Sequence, residues 1–67
     1  MMTHKRFIVR LKQFRAVRGM TQEALAKKAG ISRVYIARLE TGKQDPTLST
    51  LVKLAKALKV KVAELLE

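Results

Sequence analysis

The sequence predicts an all-α fold, a single compact domain of five short helices over residues 1–67. Three observations carry this expectation. Apolar residues recur at helical spacing, and no stretch sustains the apolar–polar alternation of a half-buried strand. Each of the three glycines, Gly19, Gly30 and Gly42, follows a helical pattern, where a left-handed helix end is wanted. A hydroxyl-bearing residue then precedes each following pattern: Thr21 before QEALAKKA, Ser32 before RVYIARLE and Thr47 before LSTLVKLAKAL.

The first helix is expected over about Lys5–Arg18. Phe7, Leu11 and Phe14 make its i, i+4, i+7 stripe and Val17 extends it. The second runs over about Gln22–Ala29, with Leu25, Ala26 and Ala29 inward, and the third over about Arg33–Thr41. Pro46 biases Asp45 away from helix, which predicts a loop at 42–46. The fourth helix covers about Leu48–Leu58, with Leu51, Leu54, Ala55 and Leu58 inward, and a short fifth, Val62–Leu66, closes the chain. Lys59 and Lys61 are poor residues for the turn between the last two.

The bulk properties narrow the function. A chain of 67 residues buries only about 60% of the surface its unfolded form exposes. Without cysteine it has no disulfide or thiolate metal site to help it. His4 is the single histidine and reads as a solvated residue near the chain end, so no metal or cofactor is expected. Apolar content of 48% and a mean hydropathy of −0.06 are those of a globular protein. The longest apolar run, Val34–Ala37, is far short of the ~20 residues of a membrane span. No signal-peptide pattern follows Met1, so a cytoplasmic location is the expectation. Catalysis is not expected, because no histidine, cysteine or paired acid cluster stands where chemistry needs one.

Charge points to a partner. Fifteen Lys and Arg against five Asp and Glu give +10, with six basic residues and no acid over positions 1–18. Such a surplus attracts polyanions, nucleic acid before anionic lipid. The alternative is a highly charged surface that only keeps the protein soluble.

The third helix sharpens the choice. At 3.6 residues per turn, with Arg33 at about 0°, Ala37 falls near 40°, Val34 near 100° and Arg38 near 140°. Ile36, Leu39 and Tyr35 occupy the opposite arc and face a core. An arginine fork can hold guanine O6 and N7 together, a valine can touch a thymine methyl, and a small residue at 37 permits close approach to the floor of a major groove. Taken alone, both arginines can equally be ordinary solvated positions. The three-residue turn Gly30-Ile31-Ser32 makes consecutive helices cross steeply, which places a helix-turn-helix at about 22–40. Gln22 then opens the second helix, where free backbone N–H groups favour a phosphate.

Thr21-Gln22, Leu25-Ala26, Gly30-Ile31-Ser32, Ile36, Leu39-Glu40, Gly42-Lys43, Pro46 and Leu51 together resemble the phage-repressor and Cro-type helix-turn-helix family, also called the xenobiotic-response-element type. The likeness spans about Leu11–Leu66. It implies a five-helix repressor-like domain whose third helix reads double-stranded DNA, and a homodimer on that DNA. It implies base contacts from Arg33, Val34 and Arg38. Phosphate contact or positioning is implied for Gln22, Ser32, Lys43 and Gln44. Tyr35 lies at the edge of that surface, its hydroxyl serving either a phosphate or the core. Arg15 and Glu40 are implied as an ion pair tying the first helix to the third. The chain departs from the family where members carry Gly followed by Val-Ser or Val-Asp; here stands Lys59-Val60-Lys61. The N-terminal segment (1–6) is basic, and Lys5, Arg6 and Arg10 can serve as a phosphate-contacting arm, or be solvated.

The expected function is therefore a sequence-specific DNA-binding transcriptional regulator, a repressor. The rival is an antitoxin or other protein-partner module of the same fold, which an exposed apolar patch on the fourth and fifth helices, including Val60, Val62 and Leu66, would mark. A basic membrane-surface helix disagrees with the capped multi-helix pattern.

Overall fold

The structure, a computed structural model, describes residues 4–67, with His4 in its backbone only. The His4 side chain and positions 1–3 of the basic N-terminal segment lie outside the described residues. Five helices follow in order: α1 His4–Val17, α2 Gln22–Ala29, α3 Arg33–Glu40, α4 Leu48–Leu58 and α5 Val62–Leu66. α1 packs on α3 and α5, α2 on α3 and α4, and α4 on α5. The residues at the centre of this arrangement are Phe7, Leu11, Leu25, Ile36, Leu39, Leu54, Leu58 and Leu65, all buried. Each contributes roughly 1.5–3 kcal/mol by leaving water.

Helix starts follow the hydroxyl rule. Ala24 N donates to Thr21 Oγ1 at 3.0 Å, Tyr35 N to Ser32 Oγ at 3.0 Å, and Thr50 N to Thr47 Oγ1 at 3.1 Å. Each bond satisfies an amide that has no partner inside its own helix. α5 has no such residue. There Glu64 Oε2 accepts from Lys61 N at 2.9 Å, the glutamate half of a capping box.

Helix ends share one motif. After α1 to α4 the chain takes a left-handed residue, Gly19, Gly30, Gly42 and Lys59 in turn. The next residue sends its N–H back five positions: Met20 to Arg15 O, Ile31 to Ala26 O, Lys43 to Arg38 O and Val60 to Ala55 O, at 2.9–3.0 Å. This is the Schellman motif, in which an apolar side chain on that next residue commonly closes over the helix end. Met20, Ile31 and Val60 do so, packing half-buried on the core. Lys43 is the exception and is exposed.

Several expectations change. Val17 does not extend the α1 stripe; it is 72% exposed, because ten residues from Phe7 the wheel has turned it about 80° off the core direction. Phe14 is only half-buried, its ring lying under the Arg10 guanidinium at 4.9 Å. Gly30 keeps its expected left-handed role: its φ is +74°, and an added Cβ would meet nothing within 4 Å, so backbone conformation rather than space calls for glycine there. Arg10 is not part of a free basic arm. Its Nε donates to Glu64 O at 2.9 Å and its Nη2 lies 3.8 Å from Glu67 Oε1, so it holds α5 against α1.

Candidate nucleic-acid interface

The α2–α3 unit is braced from behind by one carboxylate. Glu40, the last residue of α3, has a side chain only 4% exposed. Its Oε2 accepts from Arg15 Nε at 2.7 Å, and its Oε1 accepts from Arg15 Nη2 at 3.0 Å and Gln22 Nε2 at 2.9 Å. Arg15 Nη1 also donates to Met20 O at 2.9 Å. The planar guanidinium fork thus reaches α3 and the turn into α2 at once, a geometry a lysine could not reproduce. Three donors satisfy a buried charge that would otherwise be costly to desolvate.

A second brace fixes the other end of α3. The half-buried Tyr35 points its hydroxyl at Thr50 Oγ1, 3.0 Å away, and Thr50 Oγ1 lies 3.0 Å from Thr47 Oγ1. Thr50 is buried. The tyrosine hydroxyl is therefore engaged inside the protein, joining the start of α3 to the start of α4.

With both ends held, the outward arc of α3 has one orientation. Arg33, Val34 and Arg38 are exposed and Ala37 is half-exposed between them. They share a shallow open concavity with Thr41 and Lys43. Thr41 was not foreseen there; its hydroxyl turns back to Ala37 O at 3.1 Å and Arg38 O at 3.3 Å, occupying carbonyls at the end of the helix. A polar residue after the last apolar position was the available signal. Lys43 owes its place to the Schellman turn, through the 2.9 Å bond from its N–H to Arg38 O. Gly42 makes that turn possible with φ +78°, and a Cβ there would also sit 3.4 Å from Ile8 Cδ1.

The remaining expected residues surround this surface. Gln22 opens α2 half-buried, with one amide hydrogen given to Glu40 and a second left to donate. Ser32 is exposed; its oxygen caps α3, which leaves its hydroxyl hydrogen to donate. Gln44 is exposed in the loop after Lys43. Chemically, this is an exposed helix face presenting two guanidinium forks and a branched methyl pair, bordered by an ammonium and amide donors. It suits a polyanion with readable edges. Among the described residues no group of three His, Cys, Asp or Glu stands ready for a metal ion, and no helix is long and apolar enough to cross a membrane.

Comparison with known proteins agrees with this geometry. A helix-turn-helix family model matches residues 11–65. The chain is 46% identical over 56 residues to an uncharacterized HTH-type transcriptional regulator of Methanocaldococcus jannaschii, covering 84% of this chain and 85% of that one. It is 44% identical over 54 residues to the immunity repressor protein of Bacillus phage phi105, covering 81% of this chain but 38% of the repressor. Among solved structures, the restriction-modification controller protein C.AhdI from Aeromonas hydrophila superimposes with a TM-score of 0.86 at 37% identity, over 90% of this chain and 91% of that one. The match across most of its length, together with the braced helix pair, places this chain in the helix-turn-helix family of transcriptional regulators.

Proposed function

We propose that the protein is a sequence-specific regulator of transcription that binds double-stranded DNA through α3 and represses by occupying its site. One observation carries this reading: α3 is fixed at both ends by buried polar bonds while Arg33, Val34, Ala37 and Arg38 face solvent in one concavity with Lys43. An α-helix fits the major groove, about 12 Å wide, and rigid support is what base reading demands. Arg33, Val34 and Arg38 read base edges. Lys43, Gln44, Ser32 and the second amide hydrogen of Gln22 hold phosphates and set register, and Tyr35 positions α3 through Thr50. Repression is favoured by likeness to a phage immunity repressor.

A homodimer would cover apolar side chains left outside on α4 and α5. Leu48 and Val52, one turn apart on α4, are 73% and 46% exposed, and Leu66 on α5 is half-exposed. Two copies would set their α3 helices about 34 Å apart, one turn of DNA. The antitoxin or partner-module reading would use the same exposed side chains on α4 and α5, although Val60 and Val62 of its expected patch pack on the core and Leu66 alone of the three is exposed.

Selection of duplexes from a random pool tests the proposal. The expected product is one preferred, two-fold symmetric sequence. Arg38→Ala should relax preference at one base position per half-site and cost about 1–3 kcal/mol in binding. Equal competition by random and selected duplexes, or an unaltered preference in that variant, would overturn the assignment.

A further inference from the structure

We propose that Lys12, on α1, is a phosphate contact of the DNA-bound protein, extending the interface beyond α2, α3 and the loop after them. The inference rests on the DNA-binding reading above. α1 presents three successive strips around its axis. Phe7 and Leu11 lie in the core. Beside them, Ile8 and Arg15 form the strip that meets the end of α3: Ile8 Cδ1 lies 3.4 Å from where a Gly42 Cβ would be, and Arg15 makes its paired bonds to Glu40. On the helical wheel Lys12 lies about 40° beyond Ile8 and about 60° beyond Arg15, on the side away from Leu11. It is exposed. Lys12 is therefore the next side chain outward from a strip clamped to Glu40 and Gly42, and Gly42 is followed by Lys43, which lines the concavity.

The charge around Lys12 asks for an anion. Its neighbours at three and four residues along α1 are Ile8, Val9, Arg15 and Ala16, with no carboxylate among them, and α1 carries no acid at all. Glu40 is already saturated by Arg15 and Gln22. Arg10 differs, because it reaches Glu67 and a backbone carbonyl of α5. A flexible ammonium on a rigid helix beside the reading surface suits a backbone phosphate, a point-charge contact that carries no base information.

Affinity for the selected duplex, measured from about 50 to 200 mM salt, provides the test. Lys12→Gln should lower the steepness of log affinity against log salt by about one, and weaken selected and scrambled duplexes alike. The loss should be about threefold larger at the low-salt end than at the high, as a slope difference near 0.9 requires. Lys12→Arg should restore the slope. Lys56→Gln, an exposed lysine near the far end of α4, serves as the control and should leave it unchanged. Thermal unfolding of the Lys12 variants should match the parent. A slope in Lys12→Gln equal to the parent's, an equal fall in Lys56→Gln, or a changed base preference would overturn the contact while leaving the reading by α3 intact. Absence of salt-dependent binding by the parent protein would sink both.

Discussion

The ends of α3 and α4 are built on the same turn and break opposite rules. After α3 the left-handed position is a glycine, as backbone sterics prefer, but the residue that should fold onto the core is Lys43 and stays in solvent. After α4 the residue that folds in is Val60, half-buried as the motif wants, but the left-handed position is Lys59 at φ 59°. A non-glycine residue there costs roughly 1–2 kcal/mol. Departures from local rules mark either function or compensated strain. The first departure sits beside Arg33 and Arg38 and gives up a packing contact to present a charge. The second sits far along the chain from α3 and is compensated by Arg18, whose Nε donates to Leu58 O at 2.8 Å and whose Nη2 lies 3.4 Å from Lys59 O.

The two ends also differ in how they are held, one by Arg15 of α1 and the other by Arg18 just after it, and this gives the largest expected effect. Arg15 grips a buried carboxylate at the α3 end. Arg15→Ala should leave Glu40 buried with Gln22 as its remaining side-chain donor, a loss of about 3 kcal/mol, the low end for a broken buried pair because the arginine is 22% exposed. For a domain of this size the melting temperature should fall by more than about 10 °C. Denaturant unfolding of the free protein measures this directly. A change below about 1 kcal/mol would mean that the carboxylate rehydrates and that the pair orients α3 more than it stabilises it.

Arg18 grips neutral carbonyls at the α4 end, and its removal should matter less. Arg18→Ala should cost about 1.5 kcal/mol, the low end for bonds with a charged donor, since the site is partly solvated. The contrast predicts a qualitative split as well. Loss of Arg15 should weaken DNA binding beyond its effect on folding, because α3 loses its register, whereas Arg18→Ala should keep the base preference of the parent. Binding-site selection with both variants, at a temperature where both are folded, measures that split. Identical preferences in the two would show that α3 is held by Tyr35 and packing alone.

The same comparison explains what could be read from sequence. Everything within the helix-turn-helix is local: a cap lies three residues from the amide it serves, a left-handed glycine follows its helix directly, and the outward arc of Arg33, Val34 and Arg38 is fixed by helical period. The Glu40 brace spans 25 residues and was reached through a family pattern. The α5 region depends on bonds across 40 and 54 residues, from Arg18 and Arg10 to backbone carbonyls. A carbonyl has no identity in a sequence, so nothing in RLKQFRAVR announces such a clamp: Arg10 reads as a phosphate-contacting or solvated residue and Arg18 only as the end of the first helix. Val17 departs from the expected stripe for a different reason. It continues an apolar spacing, but the bundle offers no neighbour on that side, and period alone does not say where the neighbours end.

The smallest expected effect has the opposite sign and tests whether the α4 end is strained at all. Lys59→Gly removes the steric cost of the left-handed position, while glycine adds chain entropy to the unfolded state. The net should be a gain of about 1 kcal/mol, read as a rise in the denaturant midpoint with an unchanged slope. The bond from Val60 N to Ala55 O, and the packing of Val60 behind it, should be kept. The gain should persist in the Arg18→Ala background, because steric relief does not depend on the guanidinium. If Lys59→Gly instead destabilises, the lysine side chain must contribute more there than its backbone costs. The α4 end would then join the α3 end as a place where a lysine is kept for what it touches.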